Sequence, residues 1–421
     1  MPTVTSNAGP TSEKSSSATT DLGGRYPFLS TCPPELHPRP FPVHSTKPLY
    51  FTMLVTALIY VPINGSRLAL PLYALDLGSP AYAIGLIAAL LWIFPLLVSW
   101  PVGLLADRFG TRWLLFAGAI CGVVSMLTPH FFPDLNSVYI SAALSGLWNA
   151  IYHVLTLTLM GTLTRPEKRA RSFVWYSMIG SLTNFTGPLA TGFAIEHFGF
   201  SVTFLMLATP PILVASMLFV FGRILPRGEH RSSARLPLRA MLADRTLLRL
   251  LALGGCVQLG LDMFPFLMPL YGYSIGLGPG AIGSVVSAIY ASSLLMQILT
   301  PRGVSRFGEE RMLTVALFSA AACFMLIPAT TSALALGIVA SLFGFSLGSG
   351  QPISTNMLFN HSGKASPGEA LGLRLTFNNM VRVWAPALMG SLASPFGLAA
   401  VCWLIGCLLA GSSAMSRRRP Q

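Results

Sequence analysis

The sequence predicts an all-α membrane protein of twelve transmembrane helices arranged as two six-helix repeats, and three observations carry that expectation. Only 10% of the 421 residues are charged while 53% are hydrophobic, against about 25% charged in an ordinary soluble domain. Apolar segments of about twenty residues recur from residue 49 onward, each long enough to cross a hydrocarbon core of about 30 Å as helix. A shift of 198 residues then lays the second half of the chain on the first.

The apolar segments lie near 49–76, 81–105, 111–129, 135–162, 171–197, 200–222, 247–275, 279–300, 311–329, 333–359, 369–393 and 395–415. Lipid offers a backbone no hydrogen bonds, so an isolated apolar run must satisfy its own, as a helix does. Five regions follow. Residues 1–47 are rich in Ser, Thr and Pro without an apolar run, and are expected to be a disordered cytoplasmic tail with no cleavable signal. Residues 48–222 form the first six-helix half, 223–246 a basic cytoplasmic linker, 247–415 the second half and 416–421 a basic tail.

The repeat shows most clearly in PLYALDLGSPAYAIG from Pro71 and PLYGYSIGLGPGAIG from Pro269, identical at seven of fifteen positions. One unbroken offset also aligns Arg108-Phe109-Gly110 with Arg306-Phe307-Gly308, Gly146 with Gly344, Pro188 with Pro386 and Gly192 with Gly390. Parallel repeats of this kind place a substrate site at their interface near the membrane midplane.

A net charge of +13 raises the question of nucleic acid, and the positions of the charges answer it. Basic residues fall in alternate gaps between apolar segments, at Arg108 and Arg112, Arg165 to Arg171, Arg223 to Arg249, Arg302 to Arg311 and Lys364, while the gaps between carry none. This is the positive-inside pattern, which puts both termini in the cytoplasm and excludes nucleic acid as the reason for the charge. Six scattered cysteines without C-x-x-C spacing imply neither metal nor disulfides. Asn64-Gly-Ser and Asn184-Phe-Thr match the glycosylation pattern only by chance, since both lie inside predicted helices.

Between the second and third segments stands GLLADRFGTR, Gly103 to Arg112. Gly103 permits a close helix contact, Gly110 a tight turn, and Asp107 an acceptor for an opposing helix N-terminus. The run resembles motif A of the major facilitator superfamily, with Gly103, Asp107, Arg108, Gly110 and Arg112 in matching places. That resemblance implies the major facilitator fold over 49–415 and a conformational latch at Asp107, with the start of the eleventh segment and Arg374 as its partner. The second copy, PRGVSRFGEER, has Ser305 in place of the aspartate. The fifth segment carries Gly187-Pro188-Leu189-Ala190-Thr191-Gly192, similar to motif C of drug–proton antiporters, with Thr191 replacing one glycine of the usual pair. The motif B arginine is missing from SAALSGLWNA in the fourth segment. A Gly/Pro kink used for helix packing is the plainer reading of the fifth segment.

Ionisable residues within a membrane are costly and point to function. Asn64 and Arg67 share one face of the first segment, Gln258 and Asp262 one face of the seventh, Asn378 and Arg382 one face of the eleventh, and Asn149 and His153 one face of the fourth. By resemblance the first, fourth, seventh and tenth segments line a central cavity. Asp262, the only acidic residue near the middle of a segment, is the leading candidate for proton coupling, and His153 the next. Its alternative role is a structural salt bridge to Arg67 or Arg382. Ser346, Ser349, Gln351, Ser354, Asn356, Tyr290, Ser293 and Gln297, with Trp148, Phe264, Phe266 and Trp384, imply an amphipathic cavity.

The expected function is secondary active transport of a small organic molecule across the plasma or bacterial inner membrane, as proton-coupled efflux by a monomer without cofactor. One alternative is a proton-coupled importer of an organic acid, sugar or peptide fragment, which the arginine pair favours. A non-transporting membrane sensor is the alternative from another class. No P-loop or nucleophile triad points to an enzyme.

Overall fold

The structure, a computed structural model, describes residues 47–164, 169–225, 245–361 and 367–416. The expected disordered tail, most of the basic linker and the C-terminal tail lie outside the described residues. Those described are helical throughout, with no strand among them. In chain order the helices are α1 (Lys47–Asp76), α2 (Ala81–Phe109), α3 (Thr111–Phe131), α4 (Leu135–Leu163), α5 (Arg169–Phe221), α6 (Arg245–Ser274), α7 (Pro279–Phe307), α8 (Glu309–Leu326), α9 (Ala333–Leu347), α10 (Gly350–His361) and α11 (Pro367–Ser416). Ten helical stretches are long and apolar enough to cross a membrane.

The elements do not match the expected twelve one to one, because α5 and α11 each comprise two helices that abut at a non-helical glycine. The expected segments 171–197 and 200–222 are the arms of α5, joined at Gly199 with φ 75° and ψ 173°. Likewise 369–393 and 395–415 are the arms of α11, joined at Gly397 with φ 80° and ψ 163°. At about 1.5 Å per residue, a straight helix of 53 residues would far exceed the membrane's thickness, so these reversals give α5 and α11 usable lengths. The expected 333–359 segment is instead divided into α9 and α10 around Gly348 and Ser349.

Among the described residues, the six glycines with positive φ fall in pairs 198 residues apart: Gly78 with Gly276, Gly110 with Gly308, and Gly199 with Gly397. Each reverses the chain where a side chain would strain the backbone. Helix packing follows the same offset. Gly85 of α2 meets Gly390 of α11, and Gly283 of α7 meets Gly192 of α5, with the nearest backbone atoms 2.5–2.8 Å from where a Cβ would stand. Small residues let the backbones of the two halves approach this closely. Beside the second crossing, Glu196 Oε2 accepts the backbone N–H of Gly280 at 2.9 Å. This places a carboxylate on the first turn of α7, where the helix dipole favours negative charge.

Candidate central cavity

Where the halves meet lies a cavity of about 80 Å³, lined by α1, α2, α5, α6, α7 and α11. Twelve of its fifteen lining residues form pairs 198 apart: Asn64 with Asp262, Arg67 with Pro265, Leu68 with Phe266, Ala88 with Val286, Trp92 with Tyr290, and Pro188 with Pro386. No residue of the expected fourth and tenth segments is among those lining this cavity, which α2, α5, α7 and α11 share with α1 and α6.

Asp262 is held at the cavity by two donors. Arg382 Nε donates to Asp262 Oδ2 at 3.0 Å, so the ion pair joins α6 to α11. Gln258, one turn earlier on α6, donates Nε2 to the same oxygen at 2.5 Å. Gln351 Nε2 of α10 then donates to Gln258 Oε1 at 2.5 Å, and Arg374 Nη2 to Gln351 Oε1 at 2.7 Å and Ser354 Oγ at 2.8 Å. Arg374 also donates to Thr355. A continuous polar chain therefore runs from the central ion pair to buried Arg374. Arg374 is engaged within its own half by these bonds.

The other half builds the matching cluster from different residues. Tyr60 OH lies 3.3 Å from His153 Nδ1 and 3.3 Å from Tyr176 OH, which is 3.1 Å from Thr156 Oγ1. Tyr60, His153, Thr156 and Tyr176 stand 198 residues before Gln258, Gln351, Ser354 and Arg374. His153 is exposed and sits in this cluster rather than in the ion pair. Arg67 Nη1 donates to Asn64 Oδ1 at 3.0 Å, and Asn64 Nδ2 to Thr183 at 3.4 Å. The guanidinium carbons of Arg67 and Arg382 lie 4.4 and 4.1 Å from the centroid of one ring, Trp92. Cation–π attraction accounts for the stacking.

The cavity thus gathers Asn64, Arg67 and Asp262, with Gln258 and Arg382 bonded to the carboxylate. Asn149 and Asn378 are buried away from it, and Asn378 Oδ1 has no hydrogen-bond partner. Among the expected aromatic residues, Phe266 lines it, Trp148 fills the space over Gly122, Phe264 stacks on Phe343 at 4.2 Å, and Trp384 is exposed on the protein surface. Trp92, Tyr60 and Tyr176 were not among the expected site residues. The 198-residue offset could have found them, because each stands opposite a polar residue of the other half.

In the turn 103–112, Gly110 has φ 84°, and Arg112 donates to the carbonyls of Leu218 at 3.1 Å and Phe219 at 2.6 Å. Arg112 therefore caps the end of α5, satisfying carbonyls left free by the helix. Arg108 lies over Phe109. The space where a Cβ on Gly103 would stand is open, so the close contact expected there is not made. The side chain of Asp107 lies outside the described residues. In α5, Gly187 packs on Val61 and Asn64 of α1, while Gly192 packs on α7. Both glycines of this motif are close-packing positions, and Pro188 lines the cavity between them.

Membrane-length helices from both halves of one chain, closing around half-buried charges, are the architecture of a membrane transporter. The chain belongs to the Major Facilitator Superfamily, whose model matches residues 52–386. It is 23% identical over 350 residues to the multi-drug resistance efflux pump PmrA of Streptococcus pneumoniae, covering 79% of this chain and 86% of that protein. It is 24% identical over 370 residues to the multidrug resistance protein MdtG of Klebsiella pneumoniae, covering 83% and 89%. Among solved structures, a mutant of the nucleoside transporter NupG superposes with a TM-score of 0.69 at 13% identity, over 87% of this chain and 98% of that one. A POT family transporter in complex with 5-aminolevulinic acid gives 0.71 at 14%, over 87% and 95%.

Proposed function

We propose that this transporter exports a small organic molecule by alternating access, and that a proton arriving at Asp262 drives the cycle. The observation that carries the reading is the Asp262–Arg382 ion pair, formed at 3.0 Å on the wall of a cavity shared by both halves. Protonation would neutralise the carboxylate, weaken its hold on Arg382, and loosen α6 from α11. The prolines Pro265 and Pro269 inside α6 remove backbone hydrogen bonds just beyond Asp262, which favours such a movement. Outward direction rests on the relatives named as multidrug pumps.

Twelve crossings, two each from the arms of α5 and α11, with both termini cytoplasmic in the plasma or bacterial inner membrane, complete the proposal. The paired glycine crossings support two six-helix repeats. In this arrangement the Gly85–Gly390 and Gly192–Gly283 crossings close the outer face, and Asp107 latches the cytoplasmic face in the opposite state. The test is flux in proteoliposomes with an imposed pH gradient against cationic, neutral and anionic compounds. Proton-driven movement of at least one class toward the acidic side is expected, and pH-independent equilibration of all of them would refute the coupling.

A further inference from the structure

The central cavity carries an unequal set of charges. Its described charged side chains are Arg67 and Asp262 on the wall, with Arg382 bonded to Asp262. One carboxylate therefore faces two guanidinium groups. Asp262 is committed to Arg382 at 3.0 Å, whereas Arg67 donates to the neutral amide oxygen of Asn64. Stacking on Trp92 at 4.4 Å offsets only part of the charge, because a cation–π contact is weaker than the hydration it replaces. Withdrawing a charge from water is costly unless an opposite charge compensates it. Arg67 is thus left with unspent attraction for an anion.

The repeat supplies an internal comparison that argues against a packing role. The position equivalent to Arg67 is Pro265, which lines the same cavity from the other half. The equivalent of Arg382 is Asn184, also on the wall, and the equivalent of Asp262 is Asn64. Each charge is met across the interface by an uncharged residue, so the fold can fill these positions without charge. The excess cation is a property of the site.

We propose that the cavity recognises organic anions, the ligand's carboxylate or similar acidic group pairing with Arg67 beside Trp92 while its apolar body lies against Phe266 and Leu68. This deepens the transport reading, resting on the central cavity being the substrate site. An anion would bring the count of charges to balance, and the planar guanidinium offers two parallel donors to a carboxylate.

Three isosteric probes, benzoate, benzamide and benzylammonium, test this by binding to the purified wild-type protein in lipid nanodiscs, read by quenching of tryptophan fluorescence and by calorimetry. Benzoate should bind at least tenfold more tightly than benzylammonium, with benzamide between. Arg67→Gln should erase the benzoate preference and Arg67→Lys should retain part of it. Asp262→Asn, which frees Arg382, should strengthen benzoate binding. A cationic preference, or equal binding of all three to the wild type, would overturn the proposal whether or not any variant folds. So would an Arg67→Gln protein that keeps the benzoate preference. Anion-selective binding without proton-driven flux would leave the anion site standing and sink the transport reading instead. Proton-driven flux of cations with no benzoate preference would do the reverse.

Discussion

Replacing Asp262 by Asn separates coupling from architecture. Asparagine keeps the outline of the side chain and an acceptor oxygen, so the change removes charge and the ability to carry a proton. Asp262 Oδ2 accepts from both Arg382 Nε and Gln258 Nε2. Hydrogen bonds to charged groups contribute about 1.5–3 kcal/mol against about 1 kcal/mol for neutral ones, so neutralising the acceptor of two such bonds costs about 1–3 kcal/mol. The side chains of Arg382 and Asp262 keep 28% and 17% of their exposure, and this solvent contact screens the pair toward the low end of that range. The expected loss lowers the midpoint of thermal unfolding by only a few degrees, and the protein still reaches the membrane. Coupling, in contrast, should disappear. In proteoliposomes with an imposed pH gradient, the Asp262→Asn protein should no longer concentrate substrate, while substrate exchange without a gradient persists. A well-expressed Asn protein that still uses protons to concentrate substrate would refute the assignment and move the test to His153. Loss of folded protein would instead make the ion pair structural.

Three further outcomes follow from the same geometry. Gly192→Leu would place a Cβ 2.6 Å from the Pro279 carbonyl oxygen. Overpacking of about 1–3 kcal/mol should then lower the closed population about tenfold, seen as faster thiol labelling of a cysteine introduced at Leu277; unchanged labelling would count against this crossing as a gate. Asp107→Asn should slow transport without reducing membrane insertion, because a latch acts in only one conformational state, and a wild-type rate would make the motif a simple turn. Reporters fused after residue 421 or within 226–244 should read cytoplasmic, and those near Gly78 or Thr330 external, whereas an external signal from the linker would overturn the twelve crossings.

Much of the fold was legible because lipid removes choices. An apolar run of about twenty residues can only be a helix there, and glycines such as Gly110 and Gly199 mark where the chain reverses. Boundaries at those reversals were harder to read. A glycine with positive φ reverses the chain within a single residue, so at Gly199 in α5 and Gly397 in α11 two helices abut with no loop between them. The α9–α10 break was likewise hidden, since nothing apolar or charged in Gly348-Ser349 distinguishes a break from a close-packed stretch of helix.

By itself the sequence determined the helical class, the 198-residue offset and the short list of intramembrane charges, because burial in lipid is expensive enough to leave few such residues, each visible against an apolar background. Which of them meet was decided only by tertiary structure. Periodicity places Gln258 and Asp262 on one face of a helix but says nothing of how that helix is turned toward its neighbours. Packing alone paired Asp262 with Arg382 rather than Arg67, brought both arginines to Trp92, and committed Arg374 to Gln351 and Ser354. The reason is physical: a side-chain contact across helices depends on their rotation and separation, and these are set at glycine crossings such as Gly85–Gly390, whose partners lie hundreds of residues apart in the chain.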